Sequence, residues 1–157
     1  MSLTKFLLSV PFLLLPTGLW ASTSSWIAAT TGGPHNFTNT TKWEGGVVPG
    51  ASDTALFTNT STGGSSILLW TSPVTNSHVS FDYQSSSTLR AFNLSNANWL
   101  VTSRFAVEPS LGRTNFVRLQ NGGTLSVTNS SGTALMEIGT GGGPATFDLN
   151  GSTLNVD

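Results

Sequence analysis

Asn121-Gly122-Gly123-Thr124-Leu125-Ser126-Val127 returns almost unchanged as Asn150-Gly151-Ser152-Thr153-Leu154-Asn155-Val156, an offset of 29 from position 121 to position 150. Each copy sets a turn pair before a short apolar–polar alternation. A repeat of a few tens of residues with that layout is how a stacked, coiled architecture shows in sequence. Between the copies one full circuit is traceable. Thr124-Leu125-Ser126-Val127 reads as a strand and Thr128-Asn129-Ser130-Ser131-Gly132 as a turn. Ala134-Leu135-Met136-Glu137-Ile138 is a second strand, Gly139-Thr140-Gly141-Gly142-Gly143-Pro144 a second turn, and Ala145-Thr146-Phe147-Asp148-Leu149 a third strand. Three short strands and a return to the start make one rung of a right-handed parallel β-helix. The alternative is an antiparallel β-sandwich, because Asn-Gly is also a strong hairpin signal.

Upstream, helical periodicity is nearly absent and strand candidates recur at Thr54-Ala55-Leu56-Phe57, Ser66-Ile67-Leu68-Leu69-Trp70, His78-Val79-Ser80-Phe81, Trp99-Leu100-Val101-Thr102 and Asn115-Phe116-Val117-Arg118-Leu119. Alternation sends one side chain inward and the next outward, so each strand lines one face of a core. Charged residues make up only 8 % of the chain, but five Trp and nine Phe separate it from a disordered Ser/Thr/Gly-rich polymer. The net charge of −1 provides no basic field for nucleic acid. The absence of cysteine excludes thiol nucleophiles, thiolate metal sites and disulfides together.

Lys5, the apolar stretch from Phe6 to Leu15, and Gly18-Leu19-Trp20-Ala21 have the form of a cleavable secretory signal over 1–21. Pro11 and Pro16 interrupt the stretch, which is shorter than the roughly 20 apolar residues of a membrane span. No later run is long enough to cross a bilayer. The segment 22–65 reads as an N-terminal cap, rich in aromatics and without internal repeat. Within it, Pro49-Gly50 suits the centre of a type II turn, and Asp53 is placed to accept backbone N–H groups. The rungs occupy 66–157, with no polar segment closing the last one. That reading makes the solenoid incomplete at its C-terminus, or leaves its end to dock on further rungs or another chain.

The run Trp43-Glu44-Gly45-Gly46-Val47-Val48-Pro49-Gly50-Ala51-Ser52-Asp53-Thr54-Ala55-Leu56-Phe57 resembles the opening segment of exported bacterial proteins with autotransporter-associated β-strand repeats, and of relatives carrying PEP-CTERM sorting signals. Ile138-Gly139-Thr140-Gly141-Gly142-Gly143 and the Asn-Gly-x-Thr-Leu units are similar to their repeats. The chain departs from the pattern at Lys42, where Asn usually precedes the Trp, and in the long spacer back to Trp26. The resemblance implies a secreted or cell-surface passenger and carries over no catalytic residue.

No convergent chemical set emerges. His35 and His78 lack ligand spacing. Glu137 and Asp148 fall on neighbouring strands of the rung, where a glycosidase pair would stand, but both alternate with core positions and read as outward, solubilising acids. Arg113 and Arg118 are the available bases for a lyase, without an accompanying Asp cluster. Trp26, Trp43, Trp70 and Trp99 suit either sugar-stacking platforms or core filling, and the latter is favoured. Asn-x-Ser/Thr sequons at Asn36, Asn39, Asn59, Asn93, Asn129 and Asn150 follow from the composition. The sequence therefore predicts a secreted or cell-surface structural or adhesive β-solenoid, without catalytic activity and with extracellular glycans or cell-surface components as partners. No catalytic, cofactor-binding or metal residue is assigned. The alternative is a carbohydrate-binding module or a fragment of a β-helix polysaccharide lyase or hydrolase.

Overall fold

A computed structural model describes residues 21–27, 35–58, 66–82 and 88–157; 1–20 of the leader segment lie outside the described residues. The strands are β1 (Thr23–Ser25), β2 (His35–Asn36), β3 (Thr54–Phe57), β4 (Ser66–Leu69), β5 (Val74–Phe81), β6 (Thr88–Asn93), β7 (Asn98–Val107), β8 (Asn115–Gln120), β9 (Thr124–Val127), β10 (Leu135–Ile138), β11 (Ala145–Asn150) and β12 (Thr153–Val156). Every ladder between them is parallel, in a seven-stranded sheet and a five-stranded sheet. The fold is an all-β parallel solenoid of about four turns, and the antiparallel sandwich is excluded.

The coil has three sides, and the sequence shows where each corner lies. The first side holds Val74–Asn76 of β5, Asn98–Val101 of β7, then β9 and β12. The second holds β1, β3, the trailing halves of β5 and β7, and β10. The third is β2-β4-β6-β8-β11. The corner between the first two sides is a bulge in β5 and β7: Ser77 alone turns it in one coil, Thr102 and Ser103 in the next. In the coil above, residues 128–134 fill the same corner, so one strand becomes β9 and β10. An added residue bends a ladder without ending it.

Side chains pile up because the register is parallel. Neighbouring strands lie about 4.8 Å apart, close to the thickness of a stacked ring pair. Phe57 pairs with Phe81 and the rings stack at 4.8 Å with planes 12° apart. Phe81 meets Phe105 at 5.4 Å, and Phe105 meets Phe147 at 5.6 Å. Alongside them, Phe37 stacks on Trp70 at 4.1 Å and Trp70 lies 4.6 Å from Trp99. Each ring stabilises by roughly 1.5–3 kcal/mol on burial, plus about 1 kcal/mol for a well-placed pair. An exposed ion pair contributes roughly 0–1 kcal/mol, so the aromatic spine dominates the stability.

The first coil is closed by its own chain. Trp26 forms an isolated antiparallel bridge with Trp43, and the Ile27 N–H donates to the Lys42 carbonyl at 2.9 Å. This covers the edge of the chain continuing from β1 on the side away from β3. The Ser24 hydroxyl donates to the Val47 carbonyl at 2.9 Å, and the Trp43 indole N–H donates to the Phe37 carbonyl at 2.7 Å. The Trp43 ring packs edge-on against Trp26 and Phe37. The segment 22–65 thus supplies β1, β2 and β3 to the ladders as well as the cover over their end.

Two local expectations are corrected. Gly50 is not in the left-handed region, so Pro49-Gly50 is not the centre of a type II turn. The turn runs from Gly50 to Asp53, whose N–H donates to the Gly50 carbonyl at 3.1 Å, because the Asp53 carboxylate takes the Gly50 N–H at 2.8 Å. The buried Asn76 fastens this turn to the core: its amide donates to the Pro49 carbonyl at 2.9 Å and accepts from the Trp99 indole at 3.0 Å. The repeat also slips at its corner. Thr124–Val127 sits under Thr153–Val156, but Asn150 pairs with Gln120 rather than lying over Asn121. The lower turn holds one residue more.

Gly123 makes the closest approach to backbone in that corner. Its φ is +78°, and a Cβ there would stand 2.4 Å from the Ala97 carbonyl oxygen and 2.7 Å from the Leu94 Cβ. Gly132 has φ +61° but open space around it. Gly132→Ala is expected to cost about 1 kcal/mol, the ordinary price of left-handed backbone. Gly123→Ala adds a clash with backbone and should cost over about 3 kcal/mol. Urea unfolding of the two variants checks this; equal losses would contradict the close approach.

Candidate functional site

The predicted chemical residues are dispersed rather than gathered. Trp26, Trp43, Trp70 and Trp99 are all buried, in agreement with their reading as core. None of the four is a sugar-stacking platform. His35 is half-buried beside Trp26, with ring centroids 6.4 Å apart. His78 stands on the outer face of the second side, its Nδ1 3.0 Å from the Ser77 hydroxyl and its Nε2 3.3 Å from that of Ser103. Among the described residues no group of three or more His, Cys, Asp or Glu is arranged to hold a metal ion.

Glu137 and Asp148 stand on different sheets, each on its own arginine. Glu137 is bound by the Arg104 Nε, and Asp148 accepts from the Arg118 Nε at 2.7 Å. Both arginines belong to the coil below. These acids are therefore outward, as expected, but half-buried in ion pairs rather than freely solvated. Arg118 also lies over the Phe116 ring, 5.4 Å from its centre.

The densest polar cluster was not legible in the sequence. Arg104, Ala106 and Glu108 point outward from one strand, and Arg104 reaches along it to Glu108 at 2.5 Å. Ala106, between them in sequence, is small and buried. Glu108 also accepts from the Ser80 hydroxyl at 3.0 Å and the Thr140 hydroxyl at 3.4 Å, so three coils converge on one carboxylate. Next to it, the Ser110 hydroxyl donates to Asp82 at 3.1 Å. Asp82, Glu108 and Ser110 border a depression of about 340 Å³.

A second surface lies on the outer face of the first side. Parallel register aligns Thr75, Leu100, Ser126 and Asn155 in one outward column. Beside it run Asn98, Thr124 and Thr153. Short hydroxyl and amide side chains thus repeat at strand spacing along a groove of about 490 Å³.

The sequons have a structural cause that composition alone does not supply. Asn36 accepts from the N–H and hydroxyl of Thr38, Asn39 from those of Thr41, and Asn93 from those of Ser95, at 2.9–3.1 Å. Asn129 accepts from the Ser131 N–H at 2.9 Å. Each is an Asx turn at or near a strand or helix end, and the third-position hydroxyl or N–H closes it. Asn59 lies outside the described residues.

No protein-family model, curated protein or solved structure matches this chain.

Two carboxylates are held in their charged form by the fold. The Gly50 and Ser22 N–H groups, aided by the Ser22 hydroxyl, hold Asp53 below the ordinary aspartate range. Arg104, aided by the Ser80 and Thr140 hydroxyls, holds Glu108 below the glutamate range, against a smaller opposing effect of burial. In both cases the unfolded chain takes up protons first. The stabilisation is full above about pH 4.5 and is lost as pH falls through the lower, folded values. Thermal melting should therefore fall steeply from pH 5 to pH 3, and the double variant Asp53→Asn, Glu108→Gln should flatten that limb. An unchanged slope would contradict the assignment.

Proposed function

We propose that this chain is an exported, non-catalytic surface scaffold whose first side presents a polar groove to extracellular glycans or other cell-surface components. The observation that carries the reading is the in-register outer column of Thr75, Leu100, Ser126 and Asn155. The core consumes the four tryptophans, while this face is left with short donors and acceptors on a rigid ladder. Hydroxyl and amide groups at strand spacing suit a ligand that is itself hydroxyl-rich and extended, as a polysaccharide is. Export is supported by the leader-like 1–21. The resemblance of Trp43–Phe57 to the opening of autotransporter-associated repeat proteins agrees with a surface location.

The carbohydrate-active alternative has less support, because Glu137 and Asp148 face different sides and are each occupied by an arginine. The purified chain should bind cell-surface polysaccharide saturably in a sedimentation assay with insoluble glycans. Ser126→Arg with Asn155→Arg, both on the outer face, should weaken that binding at least about tenfold while leaving the melting temperature unchanged. Absence of saturable binding to glycans, matrix or cells removes the adhesive role. Release of reducing ends that Glu137→Gln abolishes would replace it with an enzyme.

A further inference from the structure

The groove on the first side crosses the strands rather than following one of them. Thr75, Leu100, Ser126 and Asn155, from four successive coils, hold one register position along it, and Asn98 and Thr124 hold the position two residues earlier. A ligand lying in it therefore meets a new coil at each strand spacing, roughly 4.8 Å. Among the described residues no charged side chain lines the groove. The outer faces of the other two sides differ. Arg104, Glu108 and Glu137 stand on the second, and Arg118 and Asp148 on the third.

We infer that the ligand of this groove is a neutral polysaccharide of β-1,4-linked pyranose rings, laid parallel to the coil axis with one ring over each strand. The inference deepens the proposed surface-binding role and rests on it. Charge selects first. A uronate or sulfated polymer would find no cation to pair with in the groove, whereas a neutral chain gives up no charge hydration there. Spacing selects next. Rings joined through opposite equatorial positions advance in a nearly straight line by a length close to the strand spacing, so each meets an equivalent set of donors and acceptors. An α-1,4-linked chain coils and drifts out of that register.

Leu100 selects the ring itself. It is half-buried and is the one apolar member of its column, set between Thr75 and Ser126. A pyranose with equatorial hydroxyls has an apolar C–H face and a polar rim. The face rests on Leu100, while the rim reaches Asn98 and Thr124 on one flank and Thr128 on the other. Thr75 and Asn155 are three strand spacings apart, roughly 14 Å, so a four-ring chain contacts both and a two-ring chain does not. A ligand lying along a single strand would instead touch Thr124, Ser126 and Thr128.

The test is isothermal titration calorimetry of the full chain with cello-, malto- and galacturonic-acid oligosaccharides of two to four rings. Affinity for the cello-oligosaccharides is expected to rise at least about tenfold from two rings to four, and to stay constant between about 0.05 and 0.5 M salt. It should exceed that for malto-oligosaccharides of equal length at least about tenfold. Thr75→Arg and Asn155→Arg should each weaken four-ring binding at least about tenfold, with the circular dichroism spectrum unchanged. Leu100→Asn should do the same, and Thr75→Arg keeps the test valid if Leu100→Asn unfolds. Thr146→Arg, at an exposed position on the third side, should leave binding unchanged. Three results overturn the inference and leave the surface-binding reading standing. They are preference for malto- or galacturonic-acid oligosaccharides, affinity independent of length, and loss with Thr124→Arg and Thr128→Arg but with neither Thr75→Arg nor Asn155→Arg. No binding to any glycan, here or in the sedimentation assay, removes both.

Discussion

Parallel, in-register stacking is the constraint on which the rest of this molecule depends. It puts each residue above the residue a coil earlier, so any property of a position is repeated along a column. Inward, it sets Phe81 on Phe57, and ring contacts across the core carry that pair on through Phe105 to Phe147 as an aromatic spine. Outward, it makes a mostly polar column on the first side, interrupted by Leu100, and a chain of ionic contacts on the second. A continuous pile of rings, each sealing the next from water, replaces the disulfides that the sequence lacks.

The corners absorb what the strands cannot vary. Residues are added and removed there without disturbing the ladders, from Ser77 alone to the whole of 128–134 in one corner. The chemistry that makes this workable is local. Asparagine side chains fold back on their own backbone at Asn36, Asn39, Asn93 and Asn129, and Asn129 further ties its corner to the Thr102 carbonyl at 2.9 Å. Buried polar groups serve the same end. Asn76 links the Gly50–Asp53 turn to the Trp99 indole, so the turn before β3 is fixed to a buried ring of β7.

Much of this was legible in the sequence where alternation was clean. β3 and β9 match their sequence readings at both ends, and β8, β10 and β11 differ by one residue. The trailing half of β7 escaped, because Phe105, Ala106 and Val107 are all buried and break the alternation. Ala106 is buried although it stands between Arg104 and Glu108, which no pattern of hydropathy reveals. β1 and β2 are too short to carry a period. The ionic cluster on Glu108 joins Arg104 of the same stretch to Ser80 and Thr140, which only the stacking of coils brings near. The sequons were visible, but their meaning as corner turns needed the backbone.

The central claim is the parallel register itself, and its most direct test is the measurement of scalar couplings across hydrogen bonds by NMR. The account predicts couplings from the Thr153 N–H to the Gly123 carbonyl, from Thr128 to Val101, and from Glu108 to Phe81. Each joins a residue to the coil beneath it in the same chain direction. Couplings that instead join consecutive strands in reversed order would contradict the solenoid.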